Sequence, residues 1–189
     1  MEENKVIVNE WDLTKYEHWY DREYCLEAVK SNGISIYLVK NPDREICLEA
    51  VKNYGLALEY IKEQDKEMCL EAVKENGLAL RWVIEKDEEI CMEAIKRDGE
   101  AIKFVDNPTK EMCLEAVSQD GLLIKYVSEP DRELRLEAVK QYGMALRYIR
   151  REQQDEEICI EAVKQKVGAL VYVDKRVFDE VDWYGWNNN

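Results

Sequence analysis

The sequence predicts an all-α fold, an αα solenoid built from seven repeats of about 22 residues with atypical caps at both ends. Three observations predict it. Nearly the same words return every 22 residues, as in Asp65 to Gly77, D-K-E-M-C-L-E-A-V-K-E-N-G. A helix-capping residue opens each unit, and a glycine closes the first helix in six of the seven.

The units align on Cys25, Cys47, Cys69, Cys91, Cys113, Arg135 and Cys159; the last step is longer because Arg150 to Gln154 carries two extra residues. Four positions before this slot stand Asp21, Asp43, Asp65, Asp87, Thr109, Asp131 and Asp155. These side chains accept from the backbone N–H groups that a helix start leaves unpaired. A glutamate two residues on favours the positive end of the helix dipole, and lysine follows in the last turn of six units. Met68, Cys69, Ala72 and Val73 make one apolar face, opposite Glu67, Glu71 and Lys74. Helix A, of about 11 residues, is expected to end at Gly33, Gly55, Gly77, Gly99, Gly121 and Gly143 through a left-handed C′ conformation.

A second apolar word follows, as in Leu78-Ala79-Leu80-Arg81-Trp82-Val83. Its third and sixth positions are always Ile, Leu or Val, and its fifth is Leu38, Tyr60, Trp82, Phe104, Tyr126, Tyr148 or Tyr172. We expect a helix B of about eight residues, too short to persist without neighbours, with the aromatic row in the core rather than serving as a stacking platform. Capping residues, glycine stops and the lack of period-2 alternation argue against strands.

Residues 1–20 are expected to form an N-terminal cap, an extended Lys5 to Val8 followed by a half-repeat holding Trp11, Leu13 and Tyr16. Residues 21–174 carry the seven repeats, and 175–189 a C-terminal cap and tail. There Val177, Phe178, Val181, Trp183 and Trp186 are expected to cover the last unit and Asn187 to Asn189 to fray. Val167 occupies a glycine slot, so the last turn between helices is expected to be made differently, with Gly168. A right-handed superhelix is expected from the habit of αα solenoids.

The wording Glu-Ala-Val-Lys-x-x-Gly-Leu-Ala-Leu-x-Tyr, seen from Glu49 to Tyr60, resembles a microbial and large-virus repeat family catalogued as domain of unknown function forty-one-sixteen. The resemblance covers about residues 21–174. It implies an all-helical array and carries no catalytic residues across. Arg135, Val167 and the two-residue insertion depart from the pattern.

With 41 acidic and 27 basic residues, a net charge of −14 disfavours nucleic acid and anionic membrane as partners. The N-terminus lacks a secretory layout, and no apolar run is long enough to span a bilayer, so a cytoplasmic protein is expected. The repeat-equivalent cysteines should stay reduced, because neighbouring helices lie about 8–10 Å apart while a disulfide needs Cα atoms within about 7 Å. No ligand set converges on a metal, no cofactor motif is present, and the single histidine, His18, stands outside any catalytic constellation. We therefore expect no enzyme, no metal and no cofactor.

Identity across repeats is best explained by packing, so the variable slots are where a partner would be read. The fourth position of the second word is Tyr37, Glu59, Arg81, Lys103, Lys125, Arg147 and Val171, four consecutive cations on an acidic chain. These residues, short of Val171, are the candidate binding positions for a protein or peptide. The row Asn32, Tyr54, Asn76, Asp98, Asp120 and Tyr142 also varies. Two glutamate ladders, one through Glu27 to Glu161 and one through Glu23 to Glu157, are expected to be solvated faces offset by lysines three residues on. The alternative is an acidic inhibitor that presents these ladders as mimics of nucleic-acid phosphates. Self-association through the ends of the array is a further expectation. Arg135, a guanidinium in a cysteine slot, should snorkel to the surface or meet a carboxylate, as an irregularity linked to the longer loop.

Overall fold

The computed structural model describes residues 18–178 and contains helices and turns but no strand among them. It is an all-α solenoid of seven repeats. Lys5 to Val8, Trp11, Leu13, Tyr16, Val181, Trp183, Trp186 and Asn187 to Asn189 lie outside the described residues, as does the side chain of Phe178.

Helix A is a ten-residue α-helix in every repeat: Arg22–Ser31, Arg44–Asn53, Lys66–Glu75, Glu88–Arg97, Lys110–Gln119, Arg132–Gln141 and Glu156–Gln165. Each starts where expected. The cap side chain accepts from the backbone N–H three residues on, as Asp65 does from Met68 at 2.9 Å and Thr109 from Met112 at 3.3 Å. Ten residues are too few to hold a helix in water alone, so packing must supply the rest. Ile46, Cys47, Ala50 and Val51 are buried along one face, and the same four slots recur buried in repeats 3, 4 and 5. Each Val, Ile or Met so buried contributes about 1.5–3 kcal/mol.

The second element differs from its expectation. It is a six-residue 3-10 segment, Gly33–Leu38, Gly55–Tyr60, Gly77–Trp82, Gly99–Phe104, Gly121–Tyr126, Gly143–Tyr148 and Val167–Tyr172, rather than a short α-helix. Its hydrogen bonds span three residues, as from Ala79 N–H to Asn76 O and from Val83 N–H to Leu80 O. Three residues per turn eclipse positions i and i+3. Leu80 and Val83 lie in the core with Ala79, Leu78 and Trp82 are half-buried, and Arg81 is exposed.

The glycines also act differently. No residue among those described has positive φ, and helix A ends on an extended residue, such as Asn76 at φ −145°, ψ 109°. Glycine is needed instead for close approach: a Cβ on Gly55 would overlap the carbonyl oxygen of Ala72 in the next repeat, and one on Gly33 that of Ala50. The glycine N–H then donates to the last side chain of that next helix, Gly33 to Asn53 Oδ1 at 2.6 Å and Gly143 to Gln165 Oε1 at 2.7 Å. Val167 is therefore tolerated. Its turn has the common geometry, with Lys166 at φ −148°, ψ 108°, and no described helix A follows to meet its side chain.

The chain divides between Arg97 and Asp98 into two compact units. In the first, helices A of repeats 1 to 4 pack in sequence, each against the 3-10 segment of the repeat before it. In the second, helices A of repeats 5 to 7 and the 3-10 segments of repeats 4 to 7 pack in the same order.

Candidate functional site

The 3-10 geometry decides what the variable slot displays. In the fourth position of the word, Tyr37, Glu59, Arg81, Lys103, Lys125, Arg147 and Val171 are all exposed, while position one is half-buried at Leu56, Leu78, Leu122 and Met144. In the first unit the Arg81 guanidinium lies over the Trp82 ring, 4.6 Å from its centroid, and Tyr37 meets Tyr60 at 6.0 Å between centroids. Glu59, next to Tyr60 in the same segment, is exposed.

In the second unit the arrangement repeats three times. Lys103 Nζ lies 5.2 Å from the Phe104 centroid, Lys125 Nζ 4.8 Å from Tyr126 and Arg147 Cζ 5.0 Å from Tyr148. Each cation rests on the aromatic residue that follows it, at a distance where the ring quadrupole attracts it. Glu100, in position one of the same word, also places a carboxylate oxygen 2.7 Å from Lys103 Nζ. The aromatic row is therefore not fully buried core: Tyr60, Tyr126 and Tyr148 keep 43%, 39% and 38% of their surface exposed, and Leu38, Trp82, Phe104 and Tyr172 are half-buried.

The acidic ladder near the helix starts is not bare. The residue after each cap is a cation in five repeats, and it bridges two carboxylates of the next repeat. Arg44 reaches Asp65 at 2.7 Å and Glu67 at 2.5 Å; Lys66 reaches Asp87 at 2.7 Å and Glu89 at 2.6 Å; Arg22 pairs with Asp43 and Glu45. In the second unit Lys110 holds Asp131 and Glu133, and Arg132 holds Asp155 and Glu157. This row, Arg22, Arg44, Lys66, Lys110 and Arg132, is legible in the sequence once one asks what faces a glutamate one repeat on. The other ladder pairs within its own helix, as Glu71 with Lys74 at 3.0 Å and Glu161 with Lys164 at 2.9 Å.

Backbone hydrogen bonds hold the Asp43 and Asp65 carboxylates below their ordinary pKa, Ile46 N–H and Met68 N–H being the largest causes, with Arg22 and Arg44 adding to them. For Asp87 and Asp131 the largest cause is the partner ammonium, Lys66 or Lys110.

A hollow of about 740 Å³ opens in the first unit where the loops after the 3-10 segments meet the helix starts, lined by Tyr37, Lys40, Tyr60, Lys62 and Gln64 among others. Gln64 is already committed: its amide donates to Trp82 O at 2.9 Å and Ile61 O at 3.2 Å, and its oxygen accepts from Ile84 N–H at 3.0 Å. Gln154 repeats the clamp, donating to Ile149 O and Tyr172 O and accepting from Asp174 N–H. Both stand immediately before a capping aspartate, where three other repeats carry Pro42, Pro108 and Pro130 and the remaining two Tyr20 and Lys86.

The slot before each glycine also has a local task. Asn76, Asp98 and Asp120 accept from the backbone N–H two residues on and so cap the 3-10 segment. Tyr54 and Tyr142 make no such bond.

Arg135 is half-buried and donates from Nη1 to Pro130 O at 2.6 Å, so it meets a carbonyl of its own loop; its Nε is buried without a partner. The six cysteines are buried and unbonded to one another. Burial pushes the thiols of Cys47, Cys69 and Cys159 up to about 11. Among the described residues no helix is long and apolar enough to cross a membrane, and no group of three or more His, Cys, Asp or Glu is placed to hold a metal ion.

A family model described as "Domain of unknown function (DUF4116)" matches residues 21–64, 43–86, 65–108, 87–130, 109–152 and 131–177. These overlapping matches advance by the repeat itself. No curated protein and no solved structure matches the chain.

Proposed function

The chain belongs to the family described as domain of unknown function (DUF4116), and from that premise we propose that it is a non-catalytic scaffold that binds a protein or peptide through its 3-10 row. One observation carries the reading. The fourth slot of the word varies between repeats yet is exposed in every one, and its cations at Arg81, Lys103, Lys125 and Arg147 rest on neighbouring aromatic rings. A charge held against a ring loses less side-chain freedom on binding than a free lysine or arginine. Acidic groups on a protein or peptide are the complementary chemistry. A cytoplasmic location fits six unbonded thiols.

The competing reading, an acidic mimic of nucleic-acid phosphates, is weakened by the ion pairs. Each cation of the row from Arg22 to Arg132 sits between two carboxylates that the mimic would have to present.

The test compares partners captured from cell extract by the wild-type chain and by R81Q/K103Q/K125Q/R147Q. Loss of a reproducible partner with the quadruple variant is expected; retention of every partner would sink the reading. Displacement of a captured partner by DNA, steeply weakened by salt, would favour the mimic instead.

A further inference from the structure

Within the second unit, three cation-on-aromatic pairs stand in consecutive repeats: Lys103 with Phe104, Lys125 with Tyr126 and Arg147 with Tyr148. Their 3-10 segments are neighbours in that order. Packed helices lie about 8–10 Å apart, and the bare glycines draw successive repeats together. The rungs thus offer one positive charge about every 9 Å.

That spacing selects a ligand conformation. A polyproline II chain rises about 3.1 Å per residue with three residues per turn, so side chains at i, i+3 and i+6 share one face at intervals of about 9.3 Å. A β-strand covers a similar distance in three residues but turns i and i+3 to opposite faces. An α-helix brings residues back to one face at i and i+7, about 10.5 Å apart. Aromatic rims are moreover the surfaces on which proline-rich extended chains pack, and Tyr126 and Tyr148 are half-exposed there.

The chain itself shows where a carboxylate would sit. Glu100 is the only acid in position one of the seven words, and its carboxylate already occupies the Lys103 rung at 2.7 Å.

We propose that the ladder Lys103, Lys125 and Arg147 takes an acidic peptide in the polyproline II conformation with a carboxylate at every third residue, Glu100 acting as a built-in competitor on the first rung. This rests on the scaffold reading and specifies its ligand.

The experiment measures fluorescence anisotropy of labelled synthetic peptides with the full chain. One peptide repeats Glu-Pro-Pro; a second has the same composition with its glutamates in a block; a third is an alanine-based helix with glutamate at every seventh position. The Glu-Pro-Pro peptide is expected to bind about tenfold more tightly than the other two. K103Q/K125Q/R147Q, checked for native circular dichroism, should lose that factor, because three exposed ion pairs of ordinary strength amount to about tenfold. Glu100→Gln should tighten binding about two- to threefold by freeing the first rung. Equal binding of all three peptides, still lost in the triple variant, overturns the spacing and leaves the scaffold reading intact. Preference for the helical or blocked peptide likewise overturns it. Failure of every acidic peptide to bind the wild-type chain overturns this proposal alone, because the scaffold reading is decided by the partners that the quadruple variant loses or keeps.

Discussion

Gly121 lies so close to the carbonyl oxygen of Ala138, one repeat on, that a Cβ on it would overlap that atom, and it would come within 3.0 Å of Tyr142 N as well. The carbonyl is not free to move aside, because it accepts the Tyr142 N–H that ends the next helix A. The glycine slot is thus a contact between repeats, not a relaxed backbone torsion.

Gly121→Ala should therefore destabilise the chain by about 1–3 kcal/mol, the usual cost of overpacking. Gly168→Ala should be neutral or stabilise by up to about 1 kcal/mol, since its nearest neighbour is Met144 Sδ at 3.7 Å and its φ is not positive. Urea unfolding of both variants decides it; equal losses would mean that the close approach is not what glycine provides.

Asp43, Asp65, Asp87 and Asp131 have folded pKa values below those of free carboxylates. Such groups stabilise the fold fully above the unfolded value, about 3.9, and the contribution disappears as pH falls through the lower folded value. The urea midpoint should hold level from neutral pH to about pH 5 and then fall. K66Q/K110Q should flatten the acid limb, because those ammonium groups are the largest cause at Asp87 and Asp131. An unchanged limb would count against the bridges.

Gln154 is buried and satisfies two carbonyls and one N–H at the ends of the segments Gly143–Tyr148 and Val167–Tyr172. Gln154→Ala leaves all three without that partner and should cost about 1–3 kcal/mol. Thermal unfolding monitored by circular dichroism would show it.

Arg135→Cys restores the residue found in six other repeats and removes a buried Nε that lacks a partner. A gain of about 1 kcal/mol is expected in chemical denaturation. A loss would indicate that the bond from Nη1 to Pro130 O matters more.

The six buried thiols should resist a thiol-specific reagent at neutral pH in the native chain and react fully in denaturant, because burial hides them and raises the pKa of Cys25, Cys47, Cys69, Cys113 and Cys159. Rapid native labelling of Cys69 or Cys159 would contradict the packing around Gln64 and Gln154.

How much of this was legible follows distance along the chain. Asp65 and Met68 are three residues apart, and the apolar faces of helix A lie within one turn, so caps, repeat boundaries and the exposed slot at Arg81, Lys103, Lys125 and Arg147 could be read directly. The second element was harder. Leu80 and Val83 are spaced by three, a spacing that a short α-helix and a 3-10 segment both accept, and only the observed bonds to Asn76 O and Leu80 O separate them. That choice took the aromatic row out of the fully buried core and laid each cation on a ring.

By itself, the sequence determined the period, the helix starts and which slots vary, because these depend on local hydrogen bonds and on the periodicity of apolar residues. Tertiary structure alone decided why the glycines are glycine and which carboxylates each cation after a cap reaches. Gly121 meets Ala138 and Arg44 meets Asp65 across a whole repeat, and such contacts exist only after neighbouring repeats have packed.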